Sequence, residues 1–172
     1  MAVPLLNTTL TNKRLFRWFV EGLVLLLVLY LLHLWQTRDA IVGQAPPLSG
    51  RFMTGETFSL EAPRDRPLLI YFWASWCPVC GLSSSSVDKL TKHHSVVTVA
   101  MQSGDERELT KYLQSQSLGF PVISDPQSRI ANAWGVKGVP TVYVLDTQGN
   151  IRFVSVGYTT LLGLKARLWL AE

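Results

Sequence analysis

"PLLIYFWASWCPVCGLSSSS", residues 67–86, decides how the rest of the chain is read. It opens on an unbroken apolar run, Pro67 to Ala74, the composition of a strand covered on both faces. Cys77 and Cys80 follow, and they are the only 2 cysteines of the chain. A helix is expected from about residue 78 to 92, with Pro78 in its first turn, where a missing N–H is no loss. The unpaired N–H groups and positive end of such a helix favour a thiolate at Cys77. Cys80, one turn later, is placed to close a disulfide with it. The second half of the stretch is a poor helix former. Gly81 and the serines at 83, 84, 85 and 86 weaken it by roughly 3 kcal/mol against alanine, so packing must hold it. With about 100° per residue, Val79, Leu82, Ser83, Ser86, Val87 and Leu90 share a face that should meet the core, and Ser84 and Ser85 should face solvent.

Around this centre, strand and helix signals alternate. "TFSL" (57–60) reads as a short strand, "SVVTVAM" (95–101) as a β-branched central one, and "FPVIS" (120–124) as another. "GDERELTKYLQSQS" (104–117) is helical, with Asp105 and Glu106 suited to its first turn. "DPQSRIANAW" (125–134) places Pro126 where a helix would begin. "PTVYVLD" and "IRFVSVG" form a hairpin through "TQGN", and the chain closes on a helix with Thr159 or Thr160 as N-cap. The fold class is α/β, a partly parallel sheet that ends in an antiparallel hairpin, flanked by helices. Trp73 and Trp134 read as core residues, and Arg64, Asp65 and Arg66 as a solvated loop.

Upstream, the composition changes. Hydrophobic residues make up 48% of the chain and charged ones only 16%, against about a quarter in ordinary soluble domains. "WFVEGLVLLLVLYLLHLW" (18–35) explains the deficit: as a helix it spans roughly 27 Å, near the hydrocarbon thickness of about 30 Å. Trp18, Tyr30 and Trp35 lie toward its ends, as interfacial aromatics do, and Lys13, Arg14 and Arg17 precede it. The expectation is a cytoplasmic tail over 1–17, a transmembrane helix over 18–36, a linker over 37–50 and a catalytic domain over 51–172 on the outer side. A cleaved signal peptide fits less well, since the nearest small-x-small site, Gly43-Gln44-Ala45, lies well past the apolar run. Glu21 and His33 can reach the two interfaces from within the span. The formal net charge of +4 is divided between both halves, without basic runs, which excludes a nucleic-acid surface.

"FWASWCPVC" (72–80) and "GVKGVPTVYVLD" (135–146), with "FPVISDPQSRIANAWGVKGVPT" (120–141), resemble the membrane-anchored, TlpA-like proteins of thioredoxin fold. That group includes cytochrome c maturation reductases. The pattern is most similar to the small thioredoxin-like member of the suppressor for copper-sensitivity proteins, and the likeness covers about residues 44–172. The resemblance implies a protein disulfide oxidoreductase with Cys77 as the attacking thiol and Cys80 as the resolving one. Trp76, Pro78 and Val79 would shape the site, Pro140 would be cis and face the cysteines, and the Val139 backbone would pair with a substrate strand. It implies no organic cofactor and no metal. Its partners would be periplasmic thiol or disulfide proteins and a membrane electron donor of DsbD-like type, and its place the bacterial cytoplasmic membrane.

Three departures from the family pattern concern the proton of Cys80. Gly81 stands where many relatives have a basic residue, Ser83 where TlpA-like proteins have a glutamate, and Tyr71 where thioredoxins bury an aspartate. With neither carboxylate present, the expectation is a proton relay through water, aided by Ser83 or Tyr71. Three other readings fit the same residues less well. A structural metal site lacks ligands beyond the cysteines, His33, His93, His94 and scattered carboxylates. A Sco-like copper-delivery protein would use a cysteine spacing one residue longer. A peroxiredoxin-type peroxidase lacks its threonine-bearing motif.

Overall fold

The computed structural model describes the backbone of residues 8–37 and 43–172, and the side chains of 16–28, 30, 31 and 43–172. The chain forms two units, divided between Arg38 and Asp39.

The first unit is helix α1 (Thr8–Thr37), 30 residues long. It starts well ahead of Trp18, so part of the expected 1–17 tail is helical, and residues 1–7 lie outside the described ones. Arg17 and Glu21 pair at 3.3 Å one turn apart. Every described side chain from Phe16 to Val28, with Tyr30 and Leu31, is exposed. Among the described residues no helix is long and apolar enough to cross a membrane. The described apolar run breaks off at Leu31, and the side chains of His33 and Trp35 lie outside it. So does the middle of the expected linker, residues 38–42.

The second unit is built on strand β4 (Leu68–Trp73), whose every residue is buried. The other elements are β1 (Gly43–Gln44), β2 (Ser49–Arg51), β3 (Thr57–Ser59), α2 (Pro78–Leu90), β5 (Ser95–Met101), α3 (Glu106–Ser115), β6 (Val122–Asp125), α4 (Arg129–Ala133), β7 (Thr141–Leu145), β8 (Asn150–Val156) and α5 (Leu161–Trp169). Six strands form one sheet in the order β1-β8-β7-β4-β5-β6. β4, β5 and β6 are parallel, while β7, β8 and β1 run antiparallel to their neighbours. Alternation along β4 divides the core in two. Leu69, Tyr71 and Trp73 pack with Cys80, Val87 and Leu90 of α2, Leu109 of α3, and Leu164 and Leu168 of α5. Leu68, Ile70 and Phe72 pack on the other face with Trp134, Tyr143, Leu48 and Leu60. Trp73 and Trp134 are both fully buried.

Four expectations change. The 37–50 stretch is not a plain linker: β1 pairs with β8, β2 pairs with β3, and Leu48 is in the core, so the unit begins ahead of residue 51. Pro126 does not open a helix. Instead Asp125 accepts from the N–H groups of Arg129 and Ala131 and so starts α4 three residues later. Arg64 is half-buried and donates to the Leu60 carbonyl rather than standing in solvent. Most consequential is the phase of α2. Cys80, Ser83, Ser84, Val87 and Leu90 are its buried residues, whereas Val79 and Leu82 are exposed and Ser86 is only half-buried. Packing Cys80 against β4 turns the helix by about one position from the arrangement its apolar residues suggest.

Other local signals hold. Asp105 caps α3 and forms a reciprocal capping box with Glu108, and Thr160 caps α5. The β2–β3 hairpin shields edge strand β6 through a Met53 N–H bond to the Val122 carbonyl and a Phe52–Ile123 bridge.

Candidate active site

The chain leaves the end of β4 at Trp73 and reaches α2 through Ala74, Ser75 and Trp76. Cys77 is the N-cap of α2: its sulfur accepts from the Cys80 N–H at 3.2 Å, and Pro78 occupies the first turn. The site loop is held on both sides. Ser75 N–H donates to Ser103 Oγ at 2.9 Å, and Trp76 Nε1 donates to the Gln102 carbonyl at 2.9 Å. Gln102 has φ 48°, a left-handed conformation uncommon outside glycine that turns its carbonyl toward the indole. Neither Gln102 nor Ser103 has a recognisable signal in the sequence, because each acts through the loop after β5 rather than through a motif.

Opposite the dithiol lies the segment before β7. The Val139–Pro140 peptide is cis, and the Cys77 thiol donates to the Val139 carbonyl at 3.5 Å. Pro140 is anchored from behind, its carbonyl accepting from the Gly157 N–H at 2.8 Å. Cys77, Cys80, Trp76, Pro78, Val79, Val139 and Pro140 thus come from two loops and one helix end but share one place.

The two thiols differ in surroundings. Both are free; Cys77 is 7% exposed and Cys80 0%. Burial pushes the Cys80 thiol up to about 12, reinforced by its hydrogen bond and charge interaction with Cys77 and partly offset by hydrogen bonds from Ala74 and Tyr71. At neutral pH Cys80 is therefore a protonated thiol. The start of α2 presents apolar surface: Trp76 is 59% exposed, Val79 41% and Leu82 68%.

Beneath Cys80 lies a hydroxyl pair. Tyr71 Oη donates to the Cys80 carbonyl at 3.1 Å and lies 3.4 Å from Ser84 Oγ. Ser84 Oγ donates to the same carbonyl at 2.8 Å. Burial raises the Tyr71 phenol far above its ordinary range, and the nearby thiols push it the same way. Ser83, the serine expected beside the thiol, instead donates to the Val79 carbonyl at 3.4 Å within its own helix. Only the helix phase separates the two serines. His93 and His94 lie past the far end of α2, roughly 20 Å from Cys80 by helical rise. Among the described residues no cluster of three or more histidine, cysteine or acidic side chains could hold a metal ion.

A buried central strand that runs into a helix capped by the first thiol of a Cys-x-x-Cys is the apparatus of a protein disulfide oxidoreductase of thioredoxin fold. The chain belongs to the AhpC/TSA family, whose profile matches residues 41–154. It is 37% identical over 137 residues to a thioredoxin-like protein of Haemophilus influenzae, covering 78% of this chain and 81% of that one. It is 30% identical over 165 residues to the thioredoxin-like protein YneN of Bacillus subtilis, covering 88% and 96%. A solved thiol:disulfide interchange protein of Chlorobium tepidum shares the fold, with a TM-score of 0.66 at 24% identity over 77% of this chain and 98% of that one. Other relatives are named thiol-disulfide oxidoreductase ResA and thiol:disulfide interchange protein DsbE.

Proposed function

We propose that this chain is a TlpA-like thiol–disulfide oxidoreductase of the ResA and DsbE type, held at the outer face of a bacterial cytoplasmic membrane by α1 and acting on protein cysteines through Cys77 and Cys80. The observation that carries the reading is the inequality of the two thiols: Cys77, 7% exposed, caps the helix and faces the Val139 carbonyl, and Cys80, 0% exposed, lies one turn deeper. In the reductive direction the Cys77 thiolate attacks one sulfur of a partner's disulfide. A Cys77–partner bond forms and the partner's other sulfur leaves as a thiolate. Cys80 then gives up its proton and attacks Cys77 Sγ. The Cys77–Cys80 disulfide forms, the mixed disulfide breaks, and the partner's second thiolate leaves. Run backwards, the same steps oxidise a partner dithiol. The electrons exchanged are carried by the two thiols.

The remaining site residues hold the partner. Trp76, Val79 and Pro78 offer an apolar rim, and the Val139 backbone before Pro140 offers strand-like hydrogen bonding, a combination that tolerates many sequences. The partners we assign are periplasmic thiol or disulfide proteins of the kind that serve cytochrome c maturation or copper tolerance. A DsbD-like membrane donor supplies electrons. Support for the anchor comes from the apolar stretch 18–35, the unbroken helix over it, its exposed side chains and the cationic flank of Lys13, Arg14 and Arg17.

The test is capture in cells. Cys80→Ala should stall at the first step and accumulate mixed disulfides with cysteine-containing periplasmic proteins, which Cys77→Ala should not. Capture of no thiol protein, together with stoichiometric copper on the purified chain, would replace this reading by copper delivery.

A further inference from the structure

Resting on the exchange reading, one question is left open by the site: how Cys80 reacts at all. It must become a thiolate to resolve the mixed disulfide, yet it is fully buried and no acidic side chain hydrogen-bonds it among the described residues. The buried carboxylates, Asp125 and Asp146, are both engaged elsewhere. Asp125 accepts the amides that start α4, and Asp146 accepts the Gln148 and Asn150 amides of the β7–β8 turn. The titratable groups that face Cys80 are Cys77 beside it, Tyr71 from β4 and, more distantly, Tyr112 from α3.

We propose that Tyr71 and Ser84 replace the absent carboxylate as paired hydrogen-bond donors, which steady the Cys80 thiolate while the proton itself leaves to water. Three observations carry this. Both hydroxyls lie against Cys80: each rests its single proton on the Cys80 carbonyl, at 3.1 and 2.8 Å, the two oxygens are 3.4 Å apart, and a hydroxyl proton is free to rotate toward the sulfur when the thiolate forms. Both are sealed in the core, with Tyr71 0% and Ser84 1% exposed, where a hydrogen bond to a charged group is stronger than in water. Neither can act as the base: a neutral phenol or alcohol accepts a thiol proton only at great cost, and burial makes the Tyr71 phenol hold its own proton more firmly. A carboxylate beneath a thiol takes its proton and hands it on. A hydroxyl pair can only stabilise what remains after the proton has gone. Tyr71 is the hydroxyl that draws the Cys80 thiol downward, against the larger upward push of burial. The step balances: hydroxide or water takes the Cys80 proton, the thiolate attacks Cys77 Sγ, and the departing partner sulfur carries the electron pair away.

The proposal has a kinetic signature that separates donation from proton transfer. The reduced full-length chain in detergent is mixed with an aromatic disulfide that releases a coloured thiolate, 5,5′-dithiobis(2-nitrobenzoate), in a stopped-flow instrument. Cys77 releases one equivalent on attack and Cys80 a second on resolution. In the wild type the second rate should climb about tenfold per pH unit from pH 6 to 9, with no plateau, because no group of ordinary carboxylate or histidine range takes the proton. Tyr71→Phe should slow the second release about tenfold at every pH with the same slope, the size of one lost hydrogen bond to a charge. Ser84→Ala should slow it several-fold. The first release, which reports on Cys77, should be unchanged in both. A wild-type plateau below pH 8 would overturn the proposal, since it would reveal a base. So would unchanged second rates in both variants while the wild type still shows two releases, which would leave the exchange reading intact. Should Tyr71→Phe fail to fold, Ser84→Ala alone decides. Absence of any second release from the wild type would remove the exchange reading and this inference together.

Discussion

Within the first two turns of α2, Cys80, Ser83 and Ser84 turn toward the sheet while Val79, Gly81 and Leu82 turn toward solvent. The chemical types run against intuition: the apolar side chains are outside and the polar ones inside. On the outer face, Trp76, Val79 and Leu82 are exposed along the start of α2, so apolar area there is available to be covered on contact with a partner. On the inner face every hydroxyl has a partner: Ser83 on Val79, Ser84 on Cys80, Tyr71 on Cys80. The difference separates two tasks that one dithiol must perform. In the proposed function, recognition would use the outer face and Cys77, and proton handling the inner face and Cys80.

Cutting each face in turn sharpens the comparison. The largest effect should come from the sulfurs. Cys77→Ala should reduce protein-disulfide reduction, followed by insulin turbidity, to the uncatalysed rate, whereas Cys80→Ala should keep the first thiolate release and lose the second entirely. Next comes stability against pH, an inner-face property. Folded Cys80 keeps its proton up to about 12, while an unfolded cysteine loses its own near about 8.5. Between those values the unfolded chain binds fewer protons, so the reduced protein should lose up to about 1.4 kcal/mol of stability per pH unit as pH rises. Denaturant melts of reduced wild type and Cys80→Ala, from pH 8 to 11, should show that slope shrinking in the variant. An equal slope in both would mean that Cys80 is not shielded.

On the outer face, Leu82→Ser should raise KM for a protein partner about fivefold, with kcat and both small-molecule release rates unchanged, because it removes apolar area covered only in the complex. A changed second release in that variant would blur the division between the faces. The smallest effect belongs to Gly81. A Cβ added there meets nothing within 4 Å, and its φ is not positive, so Gly81→Ala should stabilise the chain by about 0.5–1 kcal/mol in chemical denaturation.

Much of this arrangement was legible in the residues. β4 announced itself as an apolar run, α2 by the cysteine spacing and Pro78, and the β7–β8 hairpin by its turn. The segment that faces the dithiol came from likeness to "GVKGVPTVYVLD", not from any periodicity. β1 and β2 are not legible because strands of two and three residues have no period to read, and the partner of β1 is distant in the chain. The inner serine was misassigned for a more instructive reason. A wheel anchored on Val79 and Leu82 assumes that apolar residues point inward, and at this site both are exposed.

What the sequence determined by itself is therefore the local grammar: a buried strand, a dithiol at a helix start, a hairpin, an acidic helix start at Asp105 and Glu106, and a threonine cap at 159 or 160. Those follow from spacing and composition, which any short window contains. Which serine meets Tyr71, which carbonyl faces Cys77, and how the loop at Gln102 and Ser103 holds Trp76 were decided only by tertiary packing. The phase of a helix with few apolar residues is set by the surface it lies on, and that surface is assembled from strands far apart in the chain.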